Sequence, residues 1–185
     1  MKRNIAILFF TLVVMMIGFG IIIPLLPFYV TAMGGSGVSM GILMAIYALM
    51  QFIFSPLWGD LSDRYGRKTF LMLGVLGNGI SMILMGLATE LWMLFGARAL
   101  AGILSSATLP TAMAYISDST DEDSRGGGMG IIGAAMGIGM VLGPGIGGVM
   151  SDISLSAPFY LAAGLSALSL LFIWFLLPES LAEKD

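Results

Sequence analysis

Six uninterrupted apolar runs, each about twenty residues or longer, constrain this chain more than any other feature, because such runs are long enough to cross a hydrocarbon core roughly 30 Å thick as helices. They fall at about 5–30, 38–58, 70–88, 91–116, 126–150 and 156–177. A bilayer offers no water to an unpaired backbone group, so spans of this kind fold as α-helices. With 58% of its 185 residues hydrophobic and 10% charged, the chain is outside the balance of an ordinary soluble domain. The expected fold is an all-α membrane protein, one domain over 1–185 with six transmembrane helices and short connections. The first run follows Lys2 and Arg3 as a signal peptide would, but it is too long, lacks a small-residue cleavage pattern and precedes five more spans.

The few cations set an orientation. Lys2 and Arg3 precede span 1, Arg64, Arg67 and Lys68 lie between spans 2 and 3, Arg125 lies between 4 and 5, and Lys184 follows 6. The connections after spans 1, 3 and 5 carry no Lys or Arg, so the positive-inside rule predicts cytoplasmic termini. The net charge of −3 argues against a nucleic-acid partner. Without cysteine or histidine there is no thiolate site, imidazole proton carrier or usual zinc ligand, and no metal or other cofactor is expected. No nucleophile arrangement, metal set or phosphate loop suggests an enzyme. Any proton chemistry falls to carboxylates, yet none lies near the centre of a span: Asp60, Asp63, Asp118 and Glu179 are expected at the cytoplasmic edge, Glu90 and Asp152 outside.

The stretch GDLSDRYGRK, 59–68, holds five charged side chains. It is expected to be a tight connection whose geometry Gly59 and Gly66 permit, with carboxylates and cations pairing locally or capping helix ends. Its cations could equally serve only to fix orientation. In the acidic segment 117–130, Thr120 and Asp123 have the spacing of a capping box, Asp121 and Glu122 read as solvated, and Asp118 ends span 4 on the same side as GDLSDRYGRK. Pro24, Pro27, Pro110 and Pro144 can each kink a span.

Within the spans, Gly139, Gly143 and Gly147 recur every four residues and make a flat stripe suited to close approach by another helix. Gly143, Gly145 and Gly148 also fit a dinucleotide fingerprint, which a membrane span with an internal proline, lacking the preceding strand, does not support. Arg98, roughly 10 Å into span 4, must face a cavity or partner, or snorkel to an interface. Tyr47, Gln51 and Ser55 share one face of span 2, either lining a cavity or forming a polar seam between helices. The sixteen methionines suit adaptable apolar contacts or ordinary core.

These residues carry a resemblance. Gly59, Leu61, Asp63, Arg64, Gly66, Arg67 and Lys68 match G-x-L-x-D-R-x-G-R-K, the pattern between helices 2 and 3 in the major facilitator superfamily of secondary transporters. Gly139, Gly143, Pro144, Gly147 and Gly148 match G-x-x-x-G-P-x-x-G-G, which resembles the helix 5 antiporter signature of drug:proton exporters in that superfamily. Gly18, Gly20, Pro24 and Pro27 resemble the helix 1 pattern of the twelve-span exporters, and Arg98 with Gly102 resembles the helix 4 motif R-x-x-Q-G, with Ala101 where glutamine is usual.

The resemblance implies a multi-pass cell-membrane protein, of the bacterial inner membrane, that exports amphipathic compounds, tetracycline-like or other drugs, in exchange for protons by alternating access. It implies a latch network among Asp63, Arg64 and Asp118, with Gly59, Gly66 and Arg67 in the same motif. Arg98, Tyr47 and Gln51 would serve coupling or the cavity. It covers one six-span half of a usual member, so the partners implied are membrane lipid, an amphipathic substrate, protons and a second six-span half, as a second copy or separate chain. The alternative is an assembly half-domain that moves nothing alone and either dimerises, through its glycine face, or pairs with a second six-span subunit.

Overall fold

The computed structural model describes residues 2–120 and 122–180, the side chains of Lys2 and of 122–125 excepted. Asp121, the side chains of Glu122, Asp123 and Arg125, and Lys184 with the rest of the tail therefore lie outside the described residues. The helices are α1 (Lys2–Ala32), α2 (Gly37–Tyr65), α3 (Arg67–Leu87), α4 (Leu91–Leu104), α5 (Thr108–Ser119), α6 (Glu122–Ser151) and α7 (Ala157–Leu176), with a single 3₁₀ turn (Ser105–Ala107) between α4 and α5. Six segments are long and apolar enough to cross a membrane, α4 and α5 counting as one span.

One sequence expectation changes. The stretch 59–68 is not a loop: α2 runs through Tyr65, α3 starts at Arg67, and Gly66 alone connects them at φ 105°. Hydropathy falls where the chain leaves the apolar layer, but a solvated segment with i,i+4 ion pairs such as Asp60–Arg64 remains a good helix. Gly59 is therefore an interior helical residue with open space around it, not a turn glycine. The Thr120 hydroxyl donates to the Ile116 carbonyl, 2.7 Å away, at the end of α5, while the Asp123 side chain of the expected capping box lies outside the described residues.

Span 4 breaks where Pro110 requires it. Proline lacks the N–H that would bond Ser106, and its ring crowds that carbonyl, so the preceding turn tightens to 3₁₀. The disturbed backbone is covered from two sides: Trp58 Nε1 donates to the Ile103 carbonyl at 2.6 Å, and the Ser106 hydroxyl donates to the same oxygen at 2.8 Å. By contrast α1 runs on through Pro24 and Pro27, and α6 through Pro144.

The bundle is built on three long pairings, α1 with α6, α3 with α7 and α2 with α4. The α1–α6 contact uses the glycine stripe. A Cβ on Gly143 would lie 2.7 Å from the Gly20 Cα and 2.8 Å from the Ile17 carbonyl oxygen; one on Gly139 would lie 2.4 Å from the Met16 Cβ. Backbone meets backbone here because neither side has a side chain to keep them apart. The expected glycine face for dimerisation is therefore already occupied by α1 of the same chain; Pro144 is exposed with its Cδ at the edge of that contact beside Gly20, and Gly148 is open.

Two apolar clusters fill the interior. One, around Ile21, Leu26, Leu43, Leu94 and Phe159, lies toward the end opposite GDLSDRYGRK. The other, around Leu8, Leu12, Leu71, Tyr115 and Ile173, lies toward the charged end. Buried hydroxyls and amides join helices across them, Thr11 with Ser169 at 2.8 Å and Asn78 Nδ2 to Ser166 Oγ at 2.9 Å.

The stripe yields a direct test. Gly143→Val should lower stability by about 1–3 kcal/mol through overpacking against α1. Gly145→Ala, on the open side of the same helix, should be neutral or mildly stabilising. Thermal unfolding of both variants in detergent separates the outcomes.

Candidate functional site

At the charged end the network forms around Arg67. Its side chain is 8% exposed, and its Nε donates to Asp118 Oδ2 at 3.0 Å while Nη1 donates to Ser62 Oγ at 2.9 Å and to Asp63 Oδ1. One guanidinium thus ties the end of α2, the start of α3 and the end of α5. Arg64, expected in this role, points to solvent and pairs with Asp60 one turn back. The difference comes from Gly66: its positive φ redirects the chain, so Arg67 opens α3 facing the bundle while Arg64 stays on the outer side of α2.

A residue without an assigned role in the sequence completes this end. Glu179, just after α7, accepts the backbone N–H of Arg67 at 2.8 Å and of Lys68 at 3.1 Å, so its carboxylate covers the first turn of α3. An anion there satisfies orphan donors and complements the helix dipole. Glycine suits position 66 because φ is 105° there, and a Cβ would also sit 2.6 Å from Glu179 Oε2 and displace the carboxylate. The Tyr115 hydroxyl donates to the Pro178 carbonyl at 2.8 Å, and Lys68 Nζ donates to the Trp174 carbonyl at 2.8 Å, so the last turn of α7 and the segment after it are each held.

The second site is deep in the bundle. Arg98 is 1% exposed and does not snorkel. Gly102 lets α4 approach α2 so closely that a Cβ there would lie 2.6 Å from the Tyr47 carbonyl oxygen. That approach lays the Tyr47 ring under the guanidinium, Cζ to centroid 4.3 Å, and Nη2 donates to the Met44 sulfur at 3.3 Å. A cation over an aromatic face is favourable, more so when desolvated.

Arg98 borders a cavity of about 50 Å³ that Tyr47 and Gln51 also line, so the structure brings these three expected residues together. Ser55, the third residue on their face, is not among the lining residues. Asn78, Ser105 and Thr108 line the cavity too, and Ala101 leaves its wall without the long polar side chain of the R-x-x-Q-G pattern. Asn78 carried a readable signal, a lone carboxamide in apolar span 3; Ser105 and Thr108 depend on the 3₁₀ turn for their direction. Among the described residues all ion pairs lie at the charged end, and the buried Arg98 Nε has no hydrogen-bond partner.

The model of the Major Facilitator Superfamily matches residues 8–185. The chain belongs to that family. Tetracycline resistance protein, class C, of Escherichia coli is 42% identical over 167 residues, covering 89% of this chain and 42% of that protein. Multidrug resistance protein 2 of Bacillus subtilis (strain 168) is 35% identical over 184 residues, covering 100% of this chain and 46% of that protein. Among solved structures, the human organic anion transporter MFSD10 (TETRAN) matches with TM-score 0.85 at 26% identity, over 98% of this chain and 48% of that one. A bacterial homolog of the human lysosomal transporter Spinster, inward-facing and unoccupied, shares the fold at TM-score 0.88 and 19% identity. The chain spans about half the length of the curated relatives it matches. Family membership and six apolar spans make it a multi-pass cell-membrane protein.

The geometry separates the two arginines of the charged motif. Arg67→Ala strands Asp118 and Ser62 and should cost about 1–3 kcal/mol. Arg64→Ala removes an exposed pair and should stay within about 0.5 kcal/mol. Unfolding of the two variants side by side in detergent measures the contrast.

Proposed function

We propose that this six-span bundle is one half of a drug:proton antiporter, exporting amphipathic compounds by alternating access together with a second six-span half. The observation that carries the reading is Arg98, a permanent cation fully enclosed beside a cavity deep in the bundle, away from the charged end. An intramembrane charge of this kind is costly to keep and marks a ligand or ion path. The names of the relatives, tetracycline and multidrug resistance proteins, supply the substrate class.

In this reading both termini and the Arg67 network are cytoplasmic, and 1–185 acts as one domain. Gly59, Asp63, Gly66, Arg67 and Asp118 form the latch, with Arg64 at its solvent edge. Gly139, Gly143 and Gly147 fix α6 to α1, leaving the side with Pro144 and Gly148 for the partner half. Tyr47, Gln51 and Arg98 belong to the substrate and coupling path. The coupling carboxylate is contributed by the second half, since the acidic residues of these spans lie at their ends.

α2 favours a partner as well. Its outward face carries Leu49, Phe52, Ile53 and Leu57, with Phe52 79% exposed. The same face fits the alternative of an assembly unit that moves nothing alone. Mass measurement in lipid tells whether the partner is a second copy.

The decisive experiment is reconstitution. In proteoliposomes the chain with its partner half should move tetracycline or a comparable amphiphile, the movement should collapse with the proton gradient, and Arg98→Ala should abolish it. A folded sample that stays silent overturns the transport reading.

Orientation has its own test, made simple by the absence of native cysteine. A cysteine at Asp152 should react with an impermeant maleimide added outside intact cells, and one at Tyr65 only after lysis. The reverse pattern would invert the topology.

A further inference from the structure

The Arg98 corner holds more hydrogen-bond donors than the bundle uses. Nε of Arg98 is buried without a partner, and so are the hydroxyls of Ser105 and Thr108, which line the same cavity. Buried polar groups are overwhelmingly hydrogen-bonded in folded proteins, so three orphans in the wall of one space leave donors for a polar occupant to meet. Arg98 is also without a counter-charge among the described residues, whose ion pairs all lie at the other site.

We propose that this corner is a binding site for one small anion, supplied either as the anionic oxygen of a carboxylate- or enolate-bearing substrate or as a free halide. The Tyr47 ring covers one face of the guanidinium, which leaves its edge, where the N–H groups point, for an acceptor in the plane. Guanidinium edges and hydroxyls are the donors that charge-assisted bonds to anions use. A volume of about 50 Å³ has room for a halide, a carboxylate tip or a few waters. Ala101, in place of a longer polar residue, keeps the protein from filling the corner itself. Water would satisfy the hydroxyls but leave the charge of Arg98 uncompensated; an anion does both.

The substrate form of this proposal rests on the transport reading, whereas the halide form stands without it. Purified chain in nanodiscs is titrated with chloride against gluconate at constant ionic strength, and ³⁵Cl NMR line broadening is followed. Saturable broadening is expected, lost in Arg98→Gln, weakened about tenfold in the Ser105→Ala, Thr108→Val double variant and unchanged in Arg3→Gln. The double variant carries the test if Arg98→Gln fails to fold. A crystal grown in bromide should show an anomalous peak at hydrogen-bond distance from Arg98 Nε.

Displacement of the halide by a carboxylate drug, but not by its methyl ester, identifies the substrate as the source of the anion. Halide binding that the acid does not displace identifies the free ion. No saturable broadening, broadening indifferent to the double variant, or a corner holding water alone overturns the proposal. Anion binding without transport would defeat the antiporter reading and leave this one standing; transport of acid and ester alike, with no halide bound, would do the opposite.

Discussion

A hydrocarbon layer supplies no water to a stray carbonyl or charge, and that constraint explains most of what this bundle does with its polar groups. The proline-disturbed turn of span 4 is covered by Trp58 and Ser106 on the Ile103 carbonyl. Thr11 finds Ser169, and Asn78 finds Ser166, so buried polar side chains become links between helices. Ion pairs are held at one end, where water and the Glu179 carboxylate can serve them. Against this thrift Arg98 is the exception. Its cost is met only in part, by a tyrosine face and a methionine sulfur.

The same constraint decides how helices meet. With lipid as apolar as a leucine side chain, little is gained by hiding apolar surface, and close contact has to come from shape. Gly20 against Gly143 brings two backbones together at the centre of α1 and α6, and Gly102 does the same for α4 against α2. The second of these contacts is what sets the Tyr47 ring beneath Arg98, so the site depends on a packing residue that touches no ligand.

The spans were legible in the sequence because length and apolarity are nearly sufficient to define them, and the glycine stripe because its spacing matches the helical repeat. Tyr47 and Gln51 were legible for the same reason, one turn apart on one face. The helical character of 59–65 was hidden, since hydropathy reports where a chain leaves the membrane and not where its helix ends. The identity of the network arginine was hidden too. Arg64 and Arg67 are equivalent in composition, and only the backbone turn at Gly66 decides which one faces Asp118. Glu179 lay beyond reach because its partner is a set of backbone donors in α3, more than a hundred residues away in sequence.

Span 4 joins the two sites. Arg98 sits in α4 and Asp118 near the end of α5, with the 3₁₀ turn between them. A continuous helix would transmit any displacement of Asp118 to Arg98 as a rigid rod. The turn at Ser105–Ala107 instead concentrates bending at one place, and that place carries the unpartnered Ser105 beside the cavity. Trp58 anchors the α4 side of the turn to α2, the helix that also supplies Tyr47 and Asp63. The Arg67 network and the cavity therefore share α2, α3 and span 4. Three elements connect the charged end with the walls around Arg98: α2 with its Trp58 anchor, the turn in span 4, and α3, which opens at Arg67 and carries Asn78 and Met82 to the cavity.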